Sequence, residues 1–166
     1  MAVNFPPITF LCLAGALLTA GAAAGFEPEC PANWTPFGTR CFKFTDSSLT
    51  WTQAEKLCQS EGANLASIHS AEENAFVIDL IQKATGVSRR TWIGGHDAFQ
   101  DNLWMWSDGS VWNYSDWNVH QPDNWNGNET FVEINHRVQG SNARWNDLME
   151  DALRAYICAK DMTPCP

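Results

Sequence analysis

The sequence predicts an α+β domain, and three observations lead there. Two segments with helix-start signatures and helical apolar spacing come first, between residues 50 and 86. Short strand-like runs come later, at 91–94, 131–134 and 155–158. Between them, residues 97–128 are rich in Asn, Asp, Gly, Ser and Trp and carry little periodicity. An irregular stretch of that length is uncommon in a compact domain and is usually functional where it occurs.

The N-terminus comes first in chain order. No Asp, Glu, Lys or Arg precedes Glu27. Residues 8–18 form an apolar run, followed by small residues that include Ala22 and Ala24 in an A-x-A-like cleavage pattern. We therefore expect a signal peptide over 1–24, a domain over 25–166 and a secreted, extracellular protein. The usual basic n-region is missing, and a retained anchor is the competing reading. The run is shorter than the ~20 residues that span a bilayer unless the Gly/Ala tail is counted, so no membrane insertion is expected.

The first helix starts at Thr50 and Gln53, spaced as a capping box, and ends at Gly62. Trp51, Ala54, Leu57 and Cys58 are expected on its buried face. Ser70 and Glu73 repeat the signature and Gly86 closes the second helix, with Phe76, Val77, Leu80 and Ile81 facing the core. Beyond Arg90 the texture becomes strand-like at 91–94. Residues 103–106 alternate within the irregular stretch.

Composition narrows the function. The 10 Lys+Arg against 19 Asp+Glu give a net charge of -9, a poor match for phosphate backbones, so nucleic acid is excluded as a partner. Nine tryptophans accompany only two tyrosines. Of the six cysteines, Cys12 leaves with the signal. Cys30 and Cys41 sit close enough for a local staple, and Cys58 with Cys158 would close a loop of about 100 residues, worth up to ~4.7 kcal/mol in the chain-entropy model. The sequence alone does not prove that pairing. Cys165 is left over, as a free tail thiol or an interchain bridge giving a homodimer.

Oxygen donors are dense from Gln121 onward. Gln121, Asp123, Glu129 and Asn146 offer side-chain oxygens, and Asp147 offers both side chain and carbonyl. Calcium takes six to eight such oxygens, and hard oxygens favour it over zinc or copper. Pro122 between two candidate ligands suits a cis bond. A polar surface loop with turn chemistry would explain the Gln-Pro-Asp tripeptide alone, but not the full set.

Taken together, these residues resemble the C-type lectin-like domain family over essentially all of 25–166. The matching pieces are Cys30, Trp34 and Cys41 as the N-terminal hairpin of the long form, Trp51 to Cys58, Trp92-Ile93-Gly94, Gln121-Pro122-Asp123, Trp145-Asn146-Asp147 and Cys158. The format is similar to soluble lectins of fish and venoms. The resemblance implies two helices, two small antiparallel sheets and a long calcium-binding loop. It also implies that Gln121, Asp123, Glu129, Asn146 and Asp147 hold Ca2+ and the sugar hydroxyls together. The Gln-Pro-Asp version implies galactose-type glycans, for innate defence or agglutination. Trp125 is placed to stack on the apolar face of galactose. Trp145 is expected to pack beneath the site. Asp97, Asp101 and Asn124 could mark a second calcium site, although a solvated acidic loop is the stronger reading.

Several features depart from the family. Phe131 and Glu150 stand where relatives carry a second disulfide, so the loop is expected to rely more on calcium for order. The glycine-rich stretch supporting the stacking ring in some galactose binders is missing, which implies weak monovalent affinity raised by oligomers. Asn33, Asn113 and Asn128 each carry a glycosylation sequon, and Asn128 is expected to stay free if the loop binds a ligand. An enzyme is not expected: His69, His96, His120 and His136 lack a nucleophile partner motif. The alternative function is calcium-dependent ice binding on the same fold, as in type II antifreeze proteins. A protein-binding domain with a degraded sugar site ranks lower.

Overall fold

The structure is a computed structural model and describes residues 29–136 and 144–162. The expected signal peptide over 1–24 and Cys165 lie outside the described residues. Along the chain run β1 (Thr35–Phe37), β2 (Arg40–Leu49), α1 (Trp51–Ser60), β3 (Asn64–Leu65) and α2 (Ala71–Thr85). Then come β4 (Thr91–His96), β5 (Met105–Trp106), a 3-10 turn (Trp125–Gly127), β6 (Phe131–His136), β7 (Arg144–Leu148) and β8 (Arg154–Asp161). The sheet order is β1-β2-β8-β4-β6-β7, with β3 added to β8 and β5 to β4. Only the central β4–β8 pair is parallel among these named strands. The architecture is the expected α+β arrangement, with the strands joined in one sheet rather than two.

Both helix starts form where they were read. Thr50 accepts from the Gln53 N–H, and the Gln53 side chain answers the Thr50 N–H, completing the capping box. Gly62, at φ +67°, provides the left-handed exit. Ser70 caps α2 and Gly86 ends it at φ +74°. The second box is only half made. The Glu73 carboxylate goes instead to the His69 N–H at 2.7 Å and to Arg40 at 2.8 Å. A cation 33 residues away outcompetes the local bond.

On α1 the expected face needs one correction. Trp51, Ala54 and Cys58 are buried, but Leu57 is 44% exposed and Glu55 takes the inward position. Glu55 can be buried because its carboxylate accepts from the Leu65 N–H at 2.8 Å, Asn64 Nδ2, Gln59 Nε2 and the Ser107 hydroxyl. On α2, Val77 and Ile81 are fully buried, with Phe76 and Leu80 packed beside them. The alternation at 103–106 yields only a two-residue strand, and Leu103 and Met105 remain exposed.

Alternation along β4 and β8 splits the core in two. Ile93 and Ile157 join Phe42, Val77, Ile81, Val132, Ile134 and Trp145, while Trp92, Tyr156 and Cys158 join Trp34, Trp51 and Leu65. Disulfides Cys30–Cys41 and Cys58–Cys158 are both formed, with Cα–Cα distances of 5.5 Å. Cys58–Cys158 ties α1 to β8 within the second group.

The irregular stretch is held by aromatic contacts. Trp106 stacks on Trp112 with ring centroids 4.3 Å apart, and Trp104 lies 4.7 Å from Trp117. Trp112 and Trp117 meet Trp145 of β7 edge-on at 5.8 and 5.9 Å. Trp145 donates its backbone N–H to Asp116 O and accepts from the Asn118 N–H, each at 2.9 Å. This seam docks the loop on β7 and brings Asp123, Asn124 and Glu129 up to Asp147.

Candidate functional site

Asp123, Glu129 and Asp147 come together from three places in the chain. Their carboxylate oxygens can lie within 4.8 Å of one another, and they form the only such group of three acidic, His or Cys side chains among the described residues. Asp147 sits in β7, Asp123 follows the Gln121–Pro122 bond, which is cis, and Glu129 follows the 3-10 turn. Asp123 is exposed, whereas Glu129 and Asp147 are buried.

The carboxylates also organise the loop. Asp147 accepts from the Asp123 N–H at 3.2 Å and from the Asn124 N–H at 2.8 Å. Glu129 accepts from the Trp125 N–H at 3.0 Å, and its own N–H goes to Asn124 Oδ1 at 3.1 Å. Asn124 and Asn126 take left-handed conformations at φ 43° and 57°, which Asn tolerates better than most residues. Trp125 is thereby carried outward and is 65% exposed.

Two of the carboxylates are held above their ordinary range. Burial, chiefly, raises the Glu129 carboxyl to about 7, with Asp147 and Asp123 adding repulsion. Burial likewise raises Asp147. The Gln121 Oε1 atom is buried and accepts no hydrogen bond. The convergence of Asp123 with Glu129 and Asp147, the latter two of raised pKa, and an orphaned amide oxygen fit a hard divalent cation.

The remaining expected residues fall as follows. Asn146 is 4% exposed, with Nδ2 donating to Glu133 Oε1 at 2.9 Å and to Asp147 O at 2.5 Å. Trp145 is fully buried and donates its indole N–H to Asn74 Oδ1 at 2.9 Å, so it packs beneath the loop. Asp97, Asp101 and Asn124 do line one hollow of about 280 Å3, together with Glu129. There Asp101 accepts from Asn124 Nδ2 and Asp97 from the Asn102 N–H, both at 2.8 Å, so acid oxygens are already spent on protein donors.

Two features were missed in the sequence. Glu133 is a fully buried carboxylate paired with Arg90 and Arg154. Its signal was a lone charge between two apolar strand residues, Val132 and Ile134. His69 does meet hydroxyls, with Nε2 3.1 Å from Ser67 Oγ and 3.2 Å from Ser110 Oγ. Both hydroxyls donate to Asp108, at 2.5 and 2.6 Å, so neither offers its proton to the imidazole.

Comparisons with known proteins agree with this geometry. The family model "Lectin C-type domain" matches residues 47–160. The galactose-specific lectin nattectin of Thalassophryne nattereri is 42% identical over 154 residues, covering 92% of this chain and 94% of its own. Herring type II antifreeze protein is 38% identical with a TM-score of 0.73, covering 81% of this chain and 100% of its own. The C-type lectin CEL-I from Cucumaria echinata superposes with a TM-score of 0.75 at 30% identity, over 81% of this chain and 99% of its own. With the family model matched over most of the domain and a relative that similar along nearly its whole length, the chain belongs to the C-type lectin domain family.

Proposed function

We propose that this chain is a secreted, calcium-dependent lectin that binds galactose-type sugars without catalysing a reaction on them. The observation carrying this reading is the pairing of the Asp123, Glu129 and Asp147 cluster with the exposed Trp125 ring on the same loop. Gln121, Asp123, Glu129, Asn146 and Asp147 would hold Ca2+, which supplies coordination for the sugar hydroxyls. Trp125 would stack on the apolar sugar face. The similarity to a galactose-specific lectin supports the sugar class. The two disulfides suit an oxidising compartment, and no helix among the described residues is long and apolar enough to cross a membrane.

Retention on immobilised galactose in calcium, with release by EDTA, tests the reading. Indifference to EDTA, or elution by mannose but not galactose, overturns it. Ice binding is the second reading, favoured by the similarity to herring type II antifreeze protein. Thermal hysteresis at modest protein concentration would put it first.

A further inference from the structure

Glu133 has no solvent exposure, and its carboxylate is saturated by protein donors. Arg90 reaches it through Nε at 2.9 Å and also through Nη2, Arg154 through Nε at 2.5 Å, and Asn146 through Nδ2 at 2.9 Å. A buried carboxylate persists only when paired in this way. The two guanidiniums come from Arg90, the residue before β4, and from Arg154 at the start of β8. They fix the carboxylate opposite Asn146, its register partner across β6 and β7.

Asn146 carries both ends of an amide, and only the oxygen end can bind a cation. Its Nδ2 is committed twice, to Glu133 Oε1 and to the carbonyl of Asp147. The oxygen end is therefore the one turned away from Glu133. The flipped amide would set Oδ1 against the Glu133 carboxylate, acceptor against acceptor. We propose that Glu133, clamped by Arg90 and Arg154, is a positioning residue that fixes the Asn146 amide so that oxygen, not nitrogen, is offered to the bound calcium. The proposal rests on the calcium reading above. Glutamine at 133 would lose this control, because its own amide can donate to Asn146 Oδ1 and accept the flip.

The experiment compares the wild-type chain, Glu133→Gln, and Glu133→Gln combined with Asn146→Asp. Calcium affinity is measured by calorimetry, and the Asn146 side-chain amide is followed by NMR without calcium. In Glu133→Gln, calcium binding is expected to weaken about 10- to 100-fold, and the Asn146 amide resonances to move. Adding Asn146→Asp is expected to recover most of the affinity, because a carboxylate presents oxygen in either orientation. Wild-type affinity in Glu133→Gln, or a loss that Asn146→Asp leaves uncorrected, would overturn the proposal and leave Glu133 a purely structural ion pair. The wild-type chain provides a test free of folding effects: fast exchange of both Asn146 amide hydrogens would also overturn it. If the wild type itself binds no calcium, the lectin reading fails, while the amide measurement still decides the orientation.

Discussion

The backbone N–H of Trp125 donates to Glu129 Oε2 at 3.0 Å, so the exposed indole is anchored by one of the loop's buried carboxylates. The three residues between donor and acceptor, Asn126 to Asn128, close a tight ring around the 3-10 turn. Whatever fixes Glu129 therefore also fixes the base of the exposed indole.

Removing the indole should leave the Glu129 side of that bond intact. Trp125→Ala removes an exposed side chain, so stability should change by no more than about 0.5 kcal/mol. Galactose affinity should fall roughly 2- to 12-fold, corresponding to about 0.5–1.5 kcal/mol of ring contact. Calcium affinity should not move. Sugar and calcium titrations by calorimetry check both outcomes.

Sugar preference should follow the order of amide and carboxylate on either side of Pro122. Gln121→Glu with Asp123→Asn is expected to shift inhibition from galactose toward mannose, measured by competition on a glycan surface. An unchanged profile would show that these side chains do not touch the sugar.

Stability should depend on pH through Glu129. Its carboxyl is raised from the ordinary 4.5 to about 7 in the calcium-free chain, chiefly by burial. A raised folded-state pKa gives stability that is fully present below the ordinary value and lost as pH rises through about 7. The calcium-free chain should therefore melt lower at pH 8 than at pH 5.5 on account of this group. Calcium at about 100 times its Kd contributes ~2.7 kcal/mol, and its effect on Tm should be larger at pH 8, where no proton competes. Melting curves with calcium and with EDTA at both pH values test the sign.

The two disulfides should differ in weight. Cys58–Cys158 spans 100 residues and Cys30–Cys41 only 11. In the chain-entropy model the longer loop contributes about 2 kcal/mol more. Cys58→Ala with Cys158→Ala should therefore lower the denaturation midpoint more than Cys30→Ala with Cys41→Ala.

Cys165 should appear in a gel. On non-reducing electrophoresis a dimer that reductant dissolves would assign Cys165 to an interchain bridge, and monomer alone would leave it a free tail thiol and remove the covalent homodimer.

Local patterns were legible in the sequence because their physics is local. Thr50 and Gln53 satisfy each other's backbone within one turn, and Gly62 and Gly86 take left-handed exits that disfavour side chains. The family motifs along 25–166 likewise named the candidate ligands. Long-range competition was not legible. Glu73 abandons its half of the capping box for Arg40. Glu55 displaces Leu57 from the buried face because four donors from α1, β3 and Ser107 meet its carboxylate. Strands β2 and β7 contain few continuous apolar residues and exist through their neighbours' pairing.

The fold class, the helix ends, the candidate cysteine partners and the oxygen-bearing residues from Gln121 to Asp147 were readable from residue order alone. The tertiary structure decided how those oxygens meet. Trp145 pins the irregular loop to β7 through Asp116 and Asn118, which brings Asp123 and Glu129 up to Asp147. The tertiary structure also buried Trp106 against Trp112 and Trp145, a packing that the alternation at 103–106 did not specify. The reason is physical: a residue's type states which bonds it can make, and only the packed chain determines which partners are near enough to make them.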